Sequence, residues 1–177
     1  MDWMLMPLRR YADFSGRSRR MEYWMWVLFQ VMIYIAFVIV LMVFGGGMMM
    51  MTGDPTSMMA AGGIVMILSG LYFIWWLATL IPGIAVAVRR LHDTNRSGWW
   101  ILAPVVPYFL AFFMVFGAAA SGSQGGLAAG GIFGMLCILA ALVLGLTLLV
   151  FMFLEGTKGP NKYGPDPKGA DTGQVFA

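Results

Sequence analysis

Residues 64–88 read IVMILSGLYFIWWLATLIPGIAVAV, and residues 89–100 follow as RRLHDTNRSGWW. Twenty-five positions pass without a charge, and then four ionisable side chains arrive within five residues. A helix needs about 20 apolar residues to cross the hydrocarbon core of a bilayer, so the run has the length of a membrane span. A barrel strand would alternate every second residue over about 10 residues, and this run does not. The stretch therefore reads as a helix in lipid that ends abruptly at a polar boundary.

Working outward, three more apolar runs cover about 23–44, 99–116 and 132–154. The chain as a whole is 60% hydrophobic and 11% charged, against roughly 45–50% and about 25% in soluble domains. Its mean hydropathy is +0.82. These values exclude an ordinary water-soluble fold and predict an all-α integral membrane protein, a four-transmembrane-helix bundle. One membrane domain over 1–177 is expected. It comprises an interfacial N-terminal segment (1–22), the four spans, and a Gly/Pro-rich tail (155–177).

All 11 Lys and Arg residues lie before the first span, between the second and third, or in the tail, and the loops at 45–63 and 117–131 carry none. The positive-inside rule then predicts that both termini and the middle loop are cytoplasmic. A cleaved signal peptide needs an apolar region of only about 7–15 residues before a small-x-small site, so the first run reads as an anchor. In the N-terminal segment, Trp3, Leu5, Met6, Leu8 and Tyr11 are expected to form the apolar side of a short interfacial helix interrupted by Pro7, with Arg9 and Arg10 toward headgroups. Kinks are expected at Pro82, Pro104 and Pro107.

Several functions are excluded by what the chain lacks. One cysteine and one histidine supply neither a disulfide framework nor a four-ligand zinc site, so no metal or cofactor is expected. The net charge of +3 is too small for a nucleic-acid-binding face. The four spans contain no Asp, Glu, Lys or Arg, which argues against a proton relay at depth. His92 beside Asp93 lacks a nucleophile motif or phosphate loop, so no catalytic residue is expected. The methionines at 48–51, 58 and 59 are soft ligands that would suit cuprous ion, but they read more simply as an apolar outer loop.

Three polar clusters remain: FSGRSRRMEYW over 14–24, RRLHDTNRSGWW over 89–100 and GTKGPNKYGPDP over 156–167. Together, in order and spacing, they resemble the small bacterial inner-membrane proteins grouped as the Domain of Unknown Function 805 family, of the YhaH type. The resemblance runs from about Trp3 to Pro167. It implies an integral protein of a bacterial inner membrane, multi-pass, and supplies no catalytic or ligand residues to carry over.

The candidate site is the set of polar residues in these clusters: Arg17, Arg19, Arg20, Glu22, Arg89, Arg90, His92, Asp93, Arg96, Asn161, Tyr163 and Asp166. If the second helix continues past the membrane, Arg89, His92, Asp93 and Arg96 form one helical stripe. Asp93 then answers Arg89, Arg96 and the N-terminal arginines, Arg17 first and Arg20 as the alternative. Ser18 and Ser97 read as N-caps. The tail has too many prolines and glycines for a helix and is expected to fold back onto the same face. Basic residues outnumber acidic ones five to three in 1–22 and three to one in 89–98, which suits ion pairing at helix ends or an anionic ligand. Gly126, Gly130 and Gly134 recur every fourth residue, a surface for close helix packing, within the chain rather than between copies. The expected function is a non-catalytic membrane component or accessory subunit. Its partners are anionic lipid, a membrane-protein complex or a second copy, and not nucleic acid. The alternative is a small transporter or channel without ionisable groups in its spans.

Overall fold

In the computed structural model, residues 2–46 and 55–169 are described. The methionines at 48–51, and with them the copper reading, lie outside that range. The described residues form helices α1 (Asp2–Arg9), α2 (Arg20–Leu41), α3 (Pro55–Asp93), α4 (Leu102–Ala120) and α5 (Gln124–Phe153). A π-helical turn, Met42–Gly46, follows α2, and a 3₁₀ turn, Gly98–Ile101, precedes α4. Among the described residues, four segments are long and apolar enough to cross a membrane: Arg20–Gly45, Met59–Asp93, Gly98–Ala120 and Gly125–Phe153. Each extends beyond its apolar run because the flanking Gly, Ala and polar residues continue the helix. Much of the span surface is large apolar side chains left exposed, such as Ile35, Ile67, Phe113 and Val143. Surfaces of that kind belong against lipid.

The contacts gather into two compact units, Met1–Asp13 with Met21–Val86, and Phe14–Arg20 with Ala87–Ala177. In the first unit, aromatic contacts join α2 to α3: Phe37 stacks on Tyr72 at 4.2 Å, and Phe29 meets Trp75 edge-on at 6.1 Å. Trp75 thus has a helix neighbour, while Trp76 is exposed. At mid-depth, Gln30 Nε2 donates to Thr79 Oγ1 at 2.9 Å, and Thr79 Oγ1 donates in turn to Trp75 O at 2.9 Å. That relay satisfies the Thr79 hydroxyl and the Gln30 amide nitrogen, while Gln30 Oε1 is buried without a hydrogen-bond partner among the described residues. Tyr11 Oη donates to Ala78 O at 2.6 Å. Arg10 pairs with Asp13 at 2.6 Å.

In the second unit, α4 and α5 form an antiparallel pair joined by a tight turn at Ser121–Ser123, with Ser123 Oγ accepting from Gly126 N at 3.1 Å. Gly130 and Gly134 make close approach possible, since a Cβ at Gly130 would lie 3.0 Å from Met114 O and one at Gly134 would strike Val115. Gly126 does not join them. Its neighbours are the hydroxyls of Ser121 and Ser123, so it belongs to the turn rather than the helix seam. Pro104 also departs from expectation. It is the third residue of α4, in the first turn, where a missing N–H breaks no helical bond, so of the two prolines only Pro107 lies within the helix body.

Candidate functional site

The polar clusters at 14–20, 89–97 and 155–168 meet within the second unit, and the end of α3 organises them. Asn95 has φ of +59°, and its N–H donates to His92 O at 3.0 Å while the N–H of Arg96 donates to Leu91 O at 2.9 Å. These two bonds are a Schellman motif with Asn95 at its left-handed position, where Asn is the best-tolerated residue after Gly. The helix therefore stops at Asp93, and the stripe expected from Arg89 to Arg96 is cut short. Asp93 pairs with Arg90, one turn back, instead of with Arg89 or Arg96. Arg96 turns away to lie over the Phe151 ring at 3.8 Å.

Asp93 is 5% exposed and Arg17 7%, while Arg89 and Arg90 are fully buried. Arg17 Nε donates to Asp93 Oδ1 at 2.9 Å, and Arg90 Nη1 donates to Oδ2, so one carboxylate faces two guanidiniums. Backbone carbonyls answer the remaining donors. Arg17 donates to Gly159 O at 2.6 Å and to Thr157 O at 2.5 Å, and Arg90 donates to Met152 O and Leu154 O. Arg20 donates to Phe153 O at 3.4 Å and to Glu155 at 3.0 Å, and Arg19 to Pro167 O. Three consecutive carbonyls at the end of α5 thus receive guanidinium donors. Those carbonyls are the orphans of the helix terminus and carry its partial negative charge, which is why cations settle there.

The tail is held by its own turns and by the end of α3. Thr157 donates from its N–H to Asp93 O at 2.8 Å, and Asn161 Nδ2 donates to His92 O at 2.9 Å. The His92 and Tyr163 rings stack 3.8 Å apart at 5°. His92 Nδ1 donates to Gly16 O at 3.2 Å, an acceptor that fixes the proton on that nitrogen. Asp166 accepts from the N–H groups of Lys168 at 2.9 Å and Gly159 at 3.0 Å. These two bonds, the Lys168 bond most, hold its carboxyl below the ordinary aspartate value, aided by the nearby positive charges.

Eleven of the expected residues are thereby placed on one connected surface or directly beside it. Arg89 contributes its carbonyl, which accepts from Ser18 N–H at 3.1 Å. Ser97 Oγ accepts from Trp99 N at 3.4 Å, capping the 3₁₀ turn that leads into α4, while Ser18 lies two residues before α2. Glu22 lies buried in the first turn of α2, in the other unit. Thr157, Asn95 and Gly156 were missed. Asn95 was legible as a stop signal, whereas Thr157 acts through its backbone and through its hydroxyl, which donates to Asp93 O at 3.2 Å and accepts from Asn161 Nδ2 at 2.9 Å, and Gly156 through its lack of a side chain: a Cβ there would fall on the Asp93 carboxylate.

Among the described residues, four membrane-length apolar helices with arginine-clamped polar segments at their ends define a multi-pass membrane protein. The chain belongs to the family described as Protein of unknown function (DUF805), whose model matches residues 11–165. It is 33% identical over 168 residues to Inner membrane protein YhaI of Escherichia coli (strain K12), covering 95% of this chain and 97% of that protein. Inner membrane protein YhaH of the same organism is 32% identical over 168 residues, with 95% and 98% covered. No solved structure matches. The protein is accordingly a multi-pass inner-membrane protein of unknown function.

Proposed function

We propose that this protein is a non-catalytic component of the inner membrane that presents a prefolded basic surface to anionic lipid, with both termini and the loop at 94–97 on the cytoplasmic side. The observation that carries the reading is the charge of the second unit: its described residues hold nine Lys and Arg against three carboxylates. All three carboxylates are engaged within the fold, Asp93 by Arg17 and Arg90, Glu155 by Arg20, and Asp166 by backbone N–H groups. Lys158, Lys162 and Lys168 are exposed. A fixed surface with surplus positive charge at the end of membrane spans attracts anionic headgroups, each cation contributing about 1 kcal/mol near a charged leaflet.

The test is retention of lipid by protein purified in mild detergent. Phosphatidylglycerol or cardiolipin should be retained over phosphatidylcholine when the protein is offered an equimolar mixture. Equal retention would remove the reading.

A further inference from the structure

Arg96 differs from the other arginines of the second unit. Arg17, Arg19, Arg20 and Arg90 direct their guanidiniums into carboxylates or backbone carbonyls, and Arg89 is fully buried. Arg96 makes one long bond, from Nη1 to Thr94 O at 3.4 Å, and has no carboxylate partner among the described residues. It is half-buried, with its guanidinium carbon 3.8 Å from the centre of the Phe151 ring. The ring itself is fixed by Trp100, edge-on at 5.3 Å.

A guanidinium seated on an aromatic face keeps its N–H edges open while its carbon is held in place. Such an edge matches two oxygens of a phosphate in a bidentate bond, which an ammonium does not. Position selects which phosphate. Arg96 lies in the short link between two membrane-length helices, three residues before Trp99, which is 77% exposed. Exposed indoles at span ends belong to the headgroup layer. The surrounding surplus of positive charge favours a headgroup with net negative charge over one that carries its own cation.

We propose that Arg96, seated on Phe151 and flanked by Trp99, is a phosphate-binding position for the headgroup of an anionic phospholipid. The proposal rests on the lipid reading above and assigns it to one side chain. It is tested by native mass spectrometry of the full chain in detergent, titrated with phosphatidylglycerol or phosphatidylcholine. Arg96→Gln should weaken phosphatidylglycerol binding about fivefold, the change that one interfacial cation is expected to make. Arg96→Lys, which keeps charge but loses the two-pronged edge, should fall between that variant and the parent, and it provides the readout should Arg96→Gln fail to fold. Binding by both Arg96 variants at the parental level overturns the assignment, and the wider reading stands if the parent still prefers phosphatidylglycerol. No preference in the parent overturns both. Inorganic phosphate at millimolar concentration should not displace the lipid; displacement would assign Arg96 to free anions and overturn the lipid assignment.

Discussion

Asp93 serves two guanidiniums with its side chain and the Thr157 N–H with its carbonyl. Removing one partner of a buried ion pair strands the other's charge, which costs about 3–5 kcal/mol, against about 0–1 kcal/mol for an exposed pair. Asp93→Ala should therefore lower the thermal midpoint in detergent strongly, because it strands Arg17 and Arg90 together. Arg17→Ala should lower it less, since Arg90 continues to neutralise Asp93. The double variant should lose less than the sum of the two, the coupling expected of groups in contact. Additive losses would show that the pair contributes nothing as a pair. Asp166 gives a pH signature at the same scale. Its carboxyl is held below its ordinary value of 3.8 by the amides it accepts from, so its contribution is complete above that value and disappears as pH falls through the lower, folded value. Amide hydrogen exchange at Gly159 and Lys168, taken relative to the intrinsic rate at each pH, should accelerate on acidification below about pH 4. Asp166→Asn should abolish that acceleration.

The element that sets the geometry of the site is the end of α3. Asn95 at φ +59° lets the chain reverse, so that Asp93 stays in the last helical turn and Arg96 leaves it. A β-branched residue is disfavoured in that conformation by roughly 1–2 kcal/mol, whereas Gly adopts it freely. Asn95→Val should therefore reduce stability by about that amount and Asn95→Gly should be close to neutral, read by thermal melts in detergent. Equal effects would mean that the left-handed position does not end the helix. Asn95 was visible in the sequence as a helix terminator, but a stripe drawn at i, i+3, i+4 and i+7 runs through it because periodicity takes no account of where a helix stops. The glycines teach the same point. Gly126, Gly130 and Gly134 share one spacing, yet only the last two face α4, because the turn at Ser121–Ser123 ends before the first reaches the seam.

For the whole molecule, the sidedness proposed above is tested by reporter fusions. Fusions after residues 55 and 122 should report the periplasm and those after 94 and 170 the cytoplasm. A cytoplasmic signal at 55 would overturn the arrangement. The number of membrane-length helices and the place of the polar segments between them could be read along the chain, because hydropathy and charge are properties of neighbours in sequence and lipid enforces them on every span. The polar surface was legible as a set of residues and as the expectation that Asp93 needs Arg17. Its wiring was not. Arg17 stands 76 residues from Asp93 and 140 from Thr157, and it reaches the latter through a backbone carbonyl. Every residue has such a carbonyl, so no side-chain pattern marks which of them will be unpaired. Folding leaves those oxygens free only where α5 ends and where prolines and glycines keep the tail irregular. The arginines go to them because cations cannot remain buried without acceptors.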